Sequence, residues 1–249
     1  MRSTNPVFSH IQEEQAKNVI IDTSNSATHK GIAAKTILLV LITLITGGSS
    51  LVLFEVMPSI VIGMLMFGGI IAFISVLIGT RSSRFAMPMS ILYAVTQGVI
   101  YGTLTILIDQ IFPGIALTAI LGTLFVFLTM MVLYYSGIVK ASNTLVKIVM
   151  GSLIAIILTS LATWIITIIN PGFGAALAGN VGIAIAVSVL FIVLGALMLV
   201  LDFANADMVV ESGAPKSAEW QVGLGFMVTL IWIYVQMLRL LVTLASRNE

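Results

Sequence analysis

The stretch VGIAIAVSVLFIVLGALMLVLDFANADMVVESGAPKSAEW, residues 181–220, decides the fold. Its first half, residues 181–201, is an unbroken run of apolar and small side chains that ends on a carboxylate, Asp202. At about 1.5 Å of rise per residue, a helix of that length crosses the roughly 30 Å hydrocarbon layer of a bilayer. A carboxylate facing lipid at mid-depth would cost up to about 3 kcal/mol, and less near the headgroups. The spacing turns Asp202 the other way. Ser188, Gly195 and Asp202 recur every seven residues and share one helix face with Ala184. Small residues mark a face pressed against neighbouring helices. Asp202 is therefore expected to point inward near one membrane surface, with Asp207, Glu211 and Glu219 in an acidic loop just beyond it.

The rest of the chain has the same character. Hydrophobic residues make up 59% and charged residues only 8%, whereas about a quarter of a soluble domain is charged. With mean hydropathy +1.15, these values predict an all-α membrane protein, because helices satisfy their own backbone hydrogen bonds where lipid cannot. A net charge of +1 gives no reason to expect nucleic acid as a partner. There is no cysteine, hence no disulfide framework, thiol nucleophile or cysteine metal site.

Reading in order, residues 1–35 form a polar tail holding Arg2, Lys17, Lys30, Lys35, His10 and His29, without the pattern of a cleaved secretory signal. Seven spans follow within residues 36–245: 36–56, 58–80, 87–108, 115–138, 149–169, 181–201 and 220–244. Residues 246–249 form a short polar end. Gly47-Gly48-Ser49-Ser50 in the middle of the first span either bends it or lets a neighbour pack closely, and Pro58 suits the first turn of the second. Gln97 lies mid-membrane beside Gly98, which pairs with Gly102 in a small-xxx-small pattern. Its amide either bonds a neighbouring helix or lines a path. Asn170-Pro171-Gly172-Phe173-Gly174 breaks the chain after the fifth span.

With seven spans, the tail falls on the same side as Arg81, Arg84, Lys140, Lys147 and Lys216, and the opposite turns hold no Lys or Arg. Such an excess marks the cytoplasmic side. The N-terminus and the Asp202 mouth are thus expected there. On the last span Gly225, Thr229, Trp232, Gln236, Arg239 and Thr243 follow at steps of four and three, one face of one helix. That stripe belongs inside a bundle, bonded to its neighbours or lining an ion path; Arg239 near the outer surface can snorkel.

These features together resemble the Bax-inhibitor family of membrane proteins, and more closely its bacterial YccA-type branch. The resemblance rests on QGVIYGTLTILIDQIFPGIALTAILGT (97–123), LVLDFANADMVVESGAPKSAEW (199–220) and LIWIYVQMLRLL (230–241). It implies a seven-helix bundle with the last helix at its centre. It also implies a pH-sensitive calcium leak controlled by an acidic pair that links the sixth and seventh helices. By position Asp202 matches the acid of the sixth helix, while the partner position falls at or near Thr229, which has no charge. Gln97 and Gln236 are amides where the bacterial branch commonly has Glu.

The first functional reading is a passive cation path, for calcium, gated around Asp202 with Thr229, Gln97 and Gln236 along it. Asp207, Glu211 and Glu219 would supply hard oxygen ligands at the mouth, or form a solvated face balanced by Lys216. The second is a non-transporting factor that binds other membrane proteins, such as a quality-control protease. An enzyme is not expected: both histidines lie in the tail, and Asp202 has no intramembrane carboxylate partner. No cofactor motif or metal-ligand spacing is present, and calcium enters only as the transported ion.

Overall fold

The computed structural model describes residues 26–247. The polar tail through residue 25 and the final residues 248–249 lie outside the described residues. Among the described residues there are nine helices and no sheet: α1 (His29–Gly48), α2 (Ser50–Val56), α3 (Pro58–Arg81), α4 (Ala86–Ile111), α5 (Ile115–Tyr135), α6 (Asn143–Ile169), α7 (Pro171–Ala178), α8 (Val181–Glu211) and α9 (Ala218–Ala245). Seven of them, α1, α3, α4, α5, α6, α8 and α9, are long and apolar enough to cross a membrane.

Local chemistry fixes the ends. α1 starts earlier than the expected residue 36, because the Thr28 side chain accepts a hydrogen bond from Gly31 N at 2.9 Å and caps the helix. The expected first span is two pieces, since the Gly-Gly-Ser-Ser run ends α1 at Gly48 and α2 carries on from Ser50. Pro58 opens α3, where no backbone donor is needed. Between α4 and α5, Asp109 Oδ1 accepts from Gly114 N and Ala116 N, both at 3.0 Å, and Gly114 takes φ +89°. The turn that sequence places at 109–114 is thus held by its own carboxylate.

The largest departure is at the end of α8. Residues 203–211, expected in an acidic loop, continue the helix for about two and a half turns. Phe203 and Ala206 are buried at helical spacing along that extension. The chain turns only at Gly213, with φ +65°.

α9 is central. It packs against α1, α3, α4, α5 and α8. Each apolar cluster of the interior contains it: Phe226 and Ile233 with Phe203 and Leu199; Leu224 and Met227 with Leu39 and Tyr93; Leu238 with Ile115 and Ala119. α6 stands at the rim and touches only α7 and α8. α1 and α4 come closest together where Gly47 faces Gly98 and Gly102. A methyl group on Gly102 would lie 2.6 Å from the Gly47 carbonyl oxygen.

Lys30, Lys35, Arg81, Arg84, Lys140, Lys147 and Lys216 gather at one end of the bundle, called here the basic end. Cross-links confirm that these helix ends are neighbours. Gln221 Nε2 donates to Thr80 O at 3.0 Å, and Ala27 N donates to Ala214 O at 2.7 Å.

Candidate functional site

Asp202 lies toward the basic end of α8, on the face turned to α9. Thr229 of α9 donates its hydroxyl to Asp202 Oδ2 at 2.6 Å. The Thr229 oxygen is also 3.4 Å from Gly225 O, but its single proton follows the shorter, charge-assisted bond. One turn before Thr229, a side chain at Gly225 would begin 3.8 Å from Asp202 Oδ1, an ordinary contact distance. The inward turn expected of Asp202 is observed, and the aligned partner position Thr229 is its partner in space. The bond joins the sixth and seventh membrane-spanning helices, although only one of its ends can carry charge.

Away from the basic end the same seam continues. Gly195 packs against Trp232 and Ile233; a methyl group there would lie 2.6 Å from Ile233 Cγ1. Trp232 Nε1 donates to Phe191 O at 3.1 Å, and the two rings are 5.6 Å apart. Ser188 and Gln236 follow, both buried, and the Ser188 hydroxyl and the Gln236 carbonyl oxygen have no hydrogen-bond partner among the described residues. Unpaired polar atoms of this kind are costly in an apolar interior unless water or an ion meets them. The stripe thus runs inward through Thr229, Trp232 and Gln236. Arg239 is exposed, and Thr243 donates back to Arg239 O at 2.8 Å.

Asp207, Glu211 and Glu219, expected together at the mouth, have different partners. Among the described residues no group of three or more His, Asp or Glu is placed to hold a metal ion. Glu219 is neither solvated nor balanced by Lys216. It is only 3% exposed, accepts from Thr28 N at 3.1 Å and from the Thr28 hydroxyl at 3.3 Å, and pairs with Lys35 Nζ at 3.5 Å. Its carboxylate lies at the N-terminus of α1, where the helix dipole favours negative charge. Asp207 instead accepts from Tyr134 of α5 at 2.7 Å and meets His29 Nε2 of α1 at 2.8 Å. Glu211 alone is exposed.

Gln97 does not join the seam either. It is buried on α4 and faces a cleft bordered by α1, α4, α5 and α9. Sequence reasoning missed Thr28, Lys35, His29 and Tyr134 as partners of these acids. Thr28 is a legible cap ahead of an apolar helix. Nothing in the sequence marks Tyr134 beyond its place at a membrane boundary.

A bundle of seven long apolar helices, with a carboxylate held in the seam of the last two, defines a polytopic helical membrane protein. The family model described as Bax inhibitor 1 like matches residues 5–246. The chain belongs to that family. No curated protein and no solved structure matches it.

Proposed function

We propose that this Bax-inhibitor family member, of the bacterial YccA-type branch, provides a leak path for calcium in the bacterial cell membrane, with Asp202 as its gate. In this reading the basic end and the N-terminus face the cytoplasm, as the positive-inside rule asks. The observation that carries the proposal is the Thr229–Asp202 hydrogen bond, which ties the sixth and seventh spans together inside the bundle. While it is made, α8 and α9 are latched at the mouth of the seam. When it opens, both carboxylate oxygens face the cation's route, and hard cations take oxygen ligands. Ser188 and Gln236 supply further unpaired oxygens deeper in the same seam. Protonation of Asp202 removes both the cation's counter-charge and the charge assistance to the bond, so pH acts on the gate. The same reading needs no catalytic step and no resident cofactor.

The test is calcium flux into proteoliposomes at several pH values. Flux above that of empty vesicles, with a pH dependence that disappears in Asp202→Asn, is the expected result. Flux no greater than in empty vesicles, or an Asp202→Asn profile that matches the parent, would sink the proposal.

A second reading is that the chain binds and regulates other membrane proteins, such as a quality-control protease. What favours it is the uncharged seam beyond Asp202, where Thr229 and Gln236 offer no fixed charge to a cation. Crosslinking in native membranes separates the two. A stable partner that is lost on mutating residues 203–220, with calcium flux absent, supports this second reading.

A further inference from the structure

α1 and α5 do not touch, although both pack against α9. Between them lies an apolar cleft of about 770 Å³, running from His29 and Tyr135 at the basic end to Gly48 and Ala116 at the other. Its floor is α9 and α4. At the basic end the gap is spanned by Asp207 of α8, which meets His29 of α1 and Tyr134 of α5. Elsewhere its lining residues Leu41, Leu44, Ile120 and Leu124 are exposed.

The polar groups on its floor are unusual. Gln97 and Tyr101 stand one turn apart on α4 and line the cleft, and neither side chain hydrogen-bonds another of the described residues. Gln97 is only 8% exposed. It lies about 16 Å along α4 from the basic end, near the middle of a bilayer. An amide at that depth has neither water nor headgroup to satisfy it, and leaving it unpaired costs free energy. The next polar group along the same face behaves differently, since Thr105 Oγ1 and Tyr234 OH are bonded to each other at 2.5 Å.

Size limits what can enter. Spread along the roughly 30 Å of α1, about 770 Å³ makes a long and narrow cleft. A helix with its side chains is about 10 Å or more across, too wide to be enclosed by so narrow a cleft. A hydrocarbon chain one carbon wide, at carbon contact distances of about 4 Å, fits. The Gln97 amide and the Tyr101 hydroxyl can both donate, so the head of such a chain should carry acceptors and no charge.

We propose that the cleft between α1 and α5 binds a neutral lipid with a single hydrocarbon chain and a carbonyl-bearing head, of the prenylquinone class, held by Gln97 and Tyr101. The two carbonyls of a para-quinone lie on opposite edges of the ring and offer one acceptor to each of the two donors. The tail runs along the apolar walls, where each buried methylene adds to affinity. This binding is separate from the α8–α9 seam and stands whether or not the seam conducts.

The test uses the full chain in phosphatidylcholine vesicles with a photoreactive azido-quinone bearing a ten-carbon tail, and maps the labelled peptides by mass spectrometry. Labelling should concentrate on α1, α4 and α5, and should be competed by decylubiquinone but not by hexadecane. Gln97→Leu should lower it about five-fold, as the loss of one hydrogen bond predicts. Ile120→Trp, which fills the cleft from the α5 wall, should lower it as well, and provides the same test if Gln97→Leu fails to fold. Labelling spread evenly over Phe73, Leu158 and Trp164 on the lipid-facing sides of α3 and α6 would overturn the proposal. So would competition by hexadecane equal to that by decylubiquinone, or labelling unchanged in a folded Gln97→Leu or Ile120→Trp protein.

Discussion

Asp202 and Glu219 are carboxylates near the same end of the bundle, yet their surroundings give them different work. Glu219 meets Lys35 and the capping Thr28, and Lys35 also lies over the Trp220 ring at 5.6 Å, so this acid fastens α1 to α9. Glu219→Ala should strand the Thr28 donors and lower stability by about 1–3 kcal/mol, the usual cost of unsatisfied buried groups. A clear fall in the melting temperature in detergent micelles checks this. The exposed Glu211→Ala should leave that temperature unchanged. Asp202 has one short bond, from a neutral hydroxyl, and its other oxygen lies beside Gly225. Thr229→Val removes the donor and keeps the shape, at a similar cost of about 1–3 kcal/mol, while Thr229→Ser should restore stability. Equal melting temperatures for the Val and Ser variants would show that the bond contributes nothing. At this scale the spacing of small residues revealed which face Asp202 shares, and the family resemblance pointed to Thr229 as the opposing position. The sequence could not reveal that Glu219 is buried, because that depends on where α1 begins.

At the scale of elements, helix lengths followed from apolar runs and breakers, but two boundaries moved. α8 extends to Glu211 because Phe203 and Ala206 find aromatic and aliphatic neighbours in α5 and α9. The Phe203 ring stacks on Tyr134 at 5.6 Å and lies 5.1 Å from Phe226. Reading an acidic stretch as a loop weighs its charges and overlooks this spaced apolar face. The pairing of α1 with α4 was only partly legible. Gly98 and Gly102 announced close packing, the Gly47-Gly48 run left a bend and close packing both open, and only the structure makes Gly47 the surface that meets them. Gly102→Val should therefore disrupt the fold by at least the 1–3 kcal/mol typical of overpacking, since the Gly47 backbone cannot move aside. Gly69→Val meets nothing within 4 Å and should be tolerated. Comparing the folded yield of the two variants by size-exclusion chromatography decides the point.

For the whole molecule, the arrangement of the seven spans predicts which turns share a side. The chain has no cysteine, so single substitutions can be labelled without background. Ser83→Cys, Ser142→Cys and Lys216→Cys should react with an impermeant maleimide from one side of the membrane, and Gln110→Cys and Asn180→Cys from the other. Any of the first three reacting together with the second pair would contradict the seven-span arrangement. The position of α9 at the centre, against α1, α3, α4, α5 and α8, also predicts an uneven response to mutation. Polar substitutions on α9 should be far more damaging than those on α6, of which Val149 is the one buried residue.

The sequence by itself determined that the chain is a set of membrane-spanning helices, how many there are and which end is basic. Each of those properties is a sum over local composition, and lipid leaves the backbone almost no alternative to helix. It also singled out Asp202, because a seven-residue recurrence of small residues and one acid is visible without any neighbour. Only the tertiary structure decided what each acid touches, that Gln97 faces a cleft instead of the α8–α9 seam, and that α1 and α5 stand apart. Those outcomes depend on how whole helices rotate and slide against one another. That is set by many weak contacts between residues far apart in the chain, and no local pattern records it.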